Sequence, residues 1–283
     1  MKKTLFHNGY SATIQYKGAE LSSFLSPDGQ EYIWNGNPAF WGKHSPVLFP
    51  IVGTLKNDAF TYKGKEYQLS RHGFARDMDF SLTHHSENQA VFSLQFSAET
   101  LEKYPFRFWL QINYRLLNNT LLIGYSVINE GESKMPFSLG AHPAFALDGN
   151  FEEYSLEFDK GDSIKATLLE NDLLSEKTKT IALENHRLKL DYDLFANDAL
   201  ILKNIASKKL SILKNGREKL TVEYDDFPHL GLWTKQDAPF LCIEPWFGYS
   251  DKLVASGNIL EKESIQILEA EAVFNTNFTI EVF

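Results

Sequence analysis

From Phe106 to Leu116 the chain alternates without a break. Phe106, Phe108, Leu110, Ile112, Tyr114 and Leu116 share one parity, and the residues between them are mostly polar. Successive side chains of a strand point to opposite faces, so this run predicts a long strand with one face buried. Asn118-Asn119-Thr120 then turns the chain into a second run, Leu121–Asn129, which Glu130-Gly131 ends. The same pattern predicts four more hairpins. Ala59–Tyr62 and Glu66–Leu69 flank Lys63-Gly64, and Leu210–Lys214 and Lys219–Tyr224 flank Asn215-Gly216. Phe80–His85 and Ala90–Phe96 flank Ser86-Glu87-Asn88-Gln89, and Glu20–Leu25 and Glu31–Trp34 flank Pro27-Asp28-Gly29. The last segment, Asn277–Phe283, alternates to its final residue. Helical signals are short: Asn37–Trp41, Ala98–Lys103 and Tyr192–Asn197. Many short strands punctuated by turns, with no linker, repeat or charge run between them, predict an all-β chain. The expected architecture is a large antiparallel β-sandwich with few short helices, formed as one domain over residues 1–283.

At 283 residues, 43% of them hydrophobic, the chain can bury a full core without disulfides or a structural metal. Cys242 is its one cysteine, which excludes an internal disulfide framework and a Cys-based zinc site. A net charge of −9 without a basic cluster argues against nucleic acid or an anionic membrane surface as partner. An anionic substrate would therefore need locally placed Arg or Lys. No run reaches the roughly 18 apolar residues of a membrane span. Met1-Lys2-Lys3 resembles the start of an export signal, but Asn8-Gly9-Tyr10-Ser11 interrupts the apolar stretch that should follow. A cytoplasmic protein is the expectation. Oligomeric state has no signature in the sequence.

Four segments carry more chemistry than strands require. Ser70–Asp77 packs His72 between Arg71 and Arg76 around a glycine, and Leu139–Phe145 holds His142 between small residues and a proline. Asp198 opens the apolar run Ala199–Leu202, and Glu244 sits in the apolar segment Leu241–Gly248 ahead of Trp246. Each has a plain structural explanation. Glu244 could pair with Arg71 or Arg76 in a buried ion pair, Asp198 could cap a turn, and Trp246 could be core. Together, one deep carboxylate, two imidazoles flanked by small residues and nearby aromatics suit acid–base chemistry on a sugar. His84-His85 is a poor metal site because adjacent strand residues point to opposite faces. Asp225-Asp226 with His229 reads as a polar turn.

These segments resemble the aldose 1-epimerase (galactose mutarotase) family, most closely its LacX-like branch. The resemblance rests on His72–Arg76 (His-Gly-Phe-Ala-Arg), Gly140–Phe145 (Gly-Ala-His-Pro-Ala-Phe), Asp198 and Ile243–Trp246 (Ile-Glu-Pro-Trp), in the family's order over essentially the whole chain. It implies a mutarotase-like supersandwich with the site in a cleft across one sheet. It implies Glu244 as general base, His142 as general acid and His72 as a second imidazole that binds or polarises the sugar. Asp198 would hold ring hydroxyls and Arg76 would line the pocket. Trp246 is added here as an aromatic face for the sugar's C–H groups, and Arg71 as a further binding candidate. Neither a metal nor an organic cofactor is implied, and the partner is a small sugar. With ordinary values near 4.3 for Glu and 6.5 for His, Glu244 is expected ionised, and Asp198 is expected to help keep His142 charged.

A related branch acts on hexose 6-phosphates with arginines at the phosphate. Arg76 keeps that pattern, but Trp41-Gly42-Lys43-His44-Ser45-Pro46 lacks the further Arg, with Lys43 as a stand-in point charge. The expectation is a free aldohexose, with the hexose phosphate as alternative. A non-catalytic carbohydrate-binding protein would not need both Glu244 and His142. A glycoside hydrolase would usually need a pair of catalytic carboxylates.

Overall fold

The structure is a computed structural model describing residues 1–283. Two large antiparallel sheets dominate it. The nine-stranded sheet runs, edge to edge, through Arg187–Lys189, Tyr154–Phe158, Lys209–Lys214, Arg217–Glu223, Val273–Val282, Thr120–Asn129, Phe108–Leu117, Gln89–Gln95 and Ser81–His85. The eight-stranded sheet runs through Leu173–Ala182, Ser163–Glu170, Leu200–Leu202, His229–Trp233, Phe240–Phe247, Leu139–Ala141 and Val47–Leu48, with Ala144–Ala146 also paired to Phe240–Phe247. Three smaller sheets, one of them Lys2–His7, Tyr10–Gln15 and Leu21–Leu25, complete the fold.

The alternation that begins at Phe106 is met in space. All six same-parity residues are buried, and Thr120–Asn129 pairs with Phe108–Leu117 through the predicted turn. Asn215 and Gly216 both take positive φ (49° and 77°), as a tight two-residue hairpin requires. One hydrophobic cluster of 65 buried residues, from Leu5 to Val282, draws on both large sheets. The all-β sandwich expectation is correct.

Local expectations differ in three places. Glu31–Trp34 pairs with Leu21–Leu25 only at its start, where Leu25 bridges Glu31 and the Tyr32 N–H donates to the Phe24 carbonyl, and Ile33 then bridges Phe145 instead. The Glu31 carboxylate also accepts from the backbone N–H groups of Phe24, Tyr32 and Ile33. Asn37–Trp41 is a single turn in which Phe40 and Trp41 both donate to the Asn37 carbonyl. Tyr192–Phe195 is a 3-10 turn. Ala98–Lys103 is helical, and Ser97 and Thr100 cap it reciprocally.

Phe240–Phe247 matters most for function, because it is an interior strand flanked by His229–Trp233 and by Leu139–Ala141. Its two faces look into different surroundings. Leu241 and Ile243 join the main core. Cys242 and Trp246, on the other parity, belong to two small apolar clusters on the opposite side, and Glu244 lies between them.

Candidate active site

That opposite side carries a cavity of about 320 Å³ lined by Trp41, Arg71, His72, Arg76, His142, Asp198, Ala199, Trp233, Glu244 and Trp246. All seven residues singled out in the sequence line it: Glu244, His142, His72, Asp198, Arg76, Arg71 and Trp246. Trp41, Trp233 and Ala199 were not anticipated as lining residues.

Glu244 projects from the middle of its strand and is 1% exposed. Its Oε2 lies 3.3 Å from His142 Nε2 but is not aligned for a hydrogen bond, so both groups stay available to a third molecule. Burial pushes the Glu244 carboxyl well above its ordinary value, with Asp198 adding to the rise and Arg71 opposing it. Burial, with Arg76 and Arg71 acting the same way, pushes His142 down to about 3. The expectation that Asp198 keeps His142 charged is therefore not met, since desolvation and two guanidinium groups act against the imidazolium. Trp41 stacks on the His142 ring at 4.8 Å, and Trp233 meets it edge-on at 5.8 Å.

His72 is placed by a glycine. Gly73 has φ of 70°, and a Cβ there would lie 2.3 Å from the Phe49 carbonyl oxygen, so only glycine lets the chain cross at this point. The Gly53 N–H donates to His72 Nδ1 at 3.1 Å. A neutral imidazole then carries its hydrogen on Nε2, and burial holds the ring neutral by pushing it well below 6.5. Arg71 Nε lies 3.3 Å from that Nε2. Two N–H groups thus face each other, and the guanidinium, not the fixed backbone N–H, is the partner able to move.

Asp198 has φ of 74° and precedes Leu200–Leu202. Its Oδ1 accepts from the Ala199 N–H at 2.7 Å and its Oδ2 from Arg71 Nη2 at 3.4 Å. Arg76 Nη2 donates to the Arg71 carbonyl at 2.8 Å, and its Nε lies 3.6 Å from Asp77. Lys43 pairs with Asp77 at 2.9 Å and does not line the cavity, so it is no stand-in for a phosphate-binding arginine. Trp246 lies across two neighbouring strands. A Cβ on Gly231 or Gly140 would come within 2.5 or 2.7 Å of its ring.

His142, Cys242 and Glu244 bring potential metal-ligating atoms within 4.8 Å of one another. Burial and the Glu244 charge raise the Cys242 thiol well above its ordinary value, which keeps it protonated and a poor ligand. His229 lies outside the cavity and is not part of a polar turn. It is buried at the start of its strand, accepts from the Asn204 N–H and meets Ser264 Oγ at 2.6 Å. His84 and His85 are exposed on a hairpin flank. Four of the nine buried side-chain polar atoms without a partner are Arg76 Nε, His142 Nδ1, Glu244 Oε2 and Trp246 Nε1. Buried polar groups are normally hydrogen-bonded, so their concentration around one cavity marks a place for a polar ligand.

The sequence model of the family described as aldose 1-epimerase matches residues 1–266. Protein LacX (plasmid) of Lactococcus lactis subsp. lactis is 40% identical over 266 residues, covering 88% of this chain and 89% of that protein. A galactose mutarotase related enzyme from Lactobacillus acidophilus superposes with a TM-score of 0.95 at 34% identity, covering 100% of this chain and 97% of the other. A galactose mutarotase-like protein from Lactobacillus casei ATCC 334 gives 0.93 at 31% identity, with both chains fully covered. No helix is long and apolar enough to cross a membrane. The chain belongs to the aldose 1-epimerase family, a class of isomerases that act on sugars.

Proposed function

We propose that this protein, working as one domain, interconverts the α and β anomers of an uncharged aldohexose by acid–base opening and closing of the ring. The observation that supports this reading best is the convergence of Glu244 and His142 at 3.3 Å in the cavity, with the Glu244 Oε2 unpartnered. Glu244 removes the proton from the C1 hydroxyl while His142 protonates the ring oxygen. The ring opens to the aldehyde, rotation about C1–C2 turns the other carbonyl face, and the two groups return their protons in reverse. No covalent nucleophile is needed, and each positioned acid or base contributes about 10²–10⁴-fold.

Burial sets a demand on the cycle. Closed sugar requires carboxylate with imidazolium, and open aldehyde requires carboxylic acid with neutral imidazole. Burial favours the second pair, as the directions at Glu244 and His142 indicate. The bound sugar must therefore draw the pair over to carboxylate with imidazolium before opening starts, and both pairs carry one proton in total. His72 offers its Nε2 hydrogen to a sugar oxygen, Asp198 and Arg71 hold hydroxyls, and Trp246, Trp41 and Trp233 supply apolar surface for C–H groups.

The cations favour an uncharged sugar over a phosphorylated one. Arg71 faces Asp172 and Asp198, while Arg76 and Lys43 share Asp77. Two carboxylates neutralise Arg71, which leaves Arg76, its Nε without a hydrogen-bond partner, as a single cavity cation where a phosphate dianion needs several. Asp198 is already engaged by Arg71 and the Ala199 N–H, which suits binding better than the second carboxylate role of a glycoside hydrolase. The test is anomer-exchange NMR across free and phosphorylated hexoses, comparing native protein with Glu244→Gln. Native acceleration should fall by at least about 10²-fold in the variant. Equal exchange by both proteins refutes the proposed base, and sugar binding without acceleration by native protein favours a binding module.

A further inference from the structure

We infer that Asp172, which lies far from Arg71 in sequence, is a positioning residue: it holds the Arg71 guanidinium over the sugar and neutralises it there. This rests on the sugar-site reading above. Arg71 Nη1 donates to Asp172 Oδ1 at 2.9 Å, the shortest of the contacts its guanidinium makes around the cavity. Asp198 is met only at 3.4 Å, and His72 Nε2 presents a hydrogen towards Arg71 Nε. Without Asp172, only the longer Asp198 contact would hold the outer end of the guanidinium.

The fold holds Asp172 in place although its side chain is 57% exposed. Asn171 and Asp172 form the two-residue turn between Ser163–Glu170 and Leu173–Ala182, and both take positive φ (53° and 64°). Such turns are compact and leave the tip little freedom. Two residues on, Leu174 is buried with Leu48, Val52 and Trp246, and its N–H donates to the Asp251 carbonyl at 2.8 Å. The tip is thus anchored to the floor of the site itself. Its carboxylate gives Arg71 a second negative partner, so the guanidinium can still direct N–H groups at hydroxyls while offering little net charge to a phosphate.

The experiment compares native protein, Asp172→Asn and Asp172→Glu by anomer-exchange kinetics on a free hexose and its 6-phosphate. An exposed ion pair sets the scale, so KM for the free hexose should rise about two- to fivefold in Asp172→Asn, with kcat held within about twofold. KM for the phosphate should fall by a similar factor as the Arg71 charge is released. Asp172→Glu should recover at least half of each change, and melting temperature should stay level across the three proteins. Unchanged KM values, a Glu variant no better than Asn, or a lowered melting temperature with KM intact each overturn the assignment. If native protein accelerates no sugar, the mutarotase reading fails separately, and hexose affinity by saturation-transfer NMR then decides. Weaker binding by Asp172→Asn supports the positioning role, equal binding overturns it, and no binding by any of the three overturns both readings.

Discussion

Glu244 and His142 differ from ordinary side chains because of where they are held. With burial raising one and lowering the other, the pair carries one proton over a wide range of pH. The groups around them are Arg71, Arg76, Asp198, His72 and the Cys242 thiol. Only Asp198 adds to burial in raising the carboxyl, while both arginines help to lower the imidazole. Acidification removes activity by adding a second proton, which must go to His142, and that ring is pushed down to about 3. The kcat/KM profile should therefore be flat from about pH 5 to about 6.5 and show no limb at the ordinary histidine value. An acid limb centred near 6.5 would contradict the burial argument. At this scale the sequence was informative about residue types, because a carboxylate in an apolar run and imidazoles among small residues stand out. It was uninformative about Trp41 and Trp233, since a tryptophan in a core and one against an imidazole have the same sequence surroundings.

Among the elements, Phe240–Phe247 shows why alternation is an incomplete guide. Residues 240–246 of the strand are buried on both faces, so its sequence reads as one apolar run with Glu244 as an anomaly. Its partners make room for the site by having no side chains. Gly231 pairs with Glu244 and Gly140 with Trp246, and the indole occupies the space their Cβ atoms would take. Gly231→Ala should force the ring to move, costing about 1–3 kcal/mol in a urea melt and lowering kcat/KM through a displaced Trp246. Full stability with full activity would show that the indole has slack. Hairpins with strong turn residues, such as Asn215-Gly216, were legible because the turn is local chemistry. The Glu31–Trp34 arm was legible only at its start, because Ile33 and Trp34 turn to pair with Ala144–Ala146, a partner far off in sequence.

Across the whole molecule, distant segments meet at Asp251. Its carboxylate accepts from Lys262 Nζ at 2.9 Å and from the Lys56 N–H at 3.0 Å, and its backbone joins Thr54 and Leu174. The Lys262 and Asp251 side chains are 3% and 5% exposed. Removing one partner of such a pair strands a buried charge, so Lys262→Met should destabilise by about 3–5 kcal/mol, and adding Asp251→Asn should restore most of it. Additive losses in chemical denaturation would show that the two charges are not coupled. Because this junction carries both the Gly53 turn behind His72 and the base of the Asp172 hairpin, the single variant should also weaken activity. The sequence by itself determined the strands, most of the turns and the kinds of group at the site, because alternation, turn chemistry and misplaced polar residues are local properties. Only the tertiary structure decided that Glu244 and His142 lie 3.3 Å apart, that both are desolvated, and that Arg71 is shared between Asp172 and Asp198. Proximity and burial arise from contacts between strands far apart in the chain, and no local pattern records them.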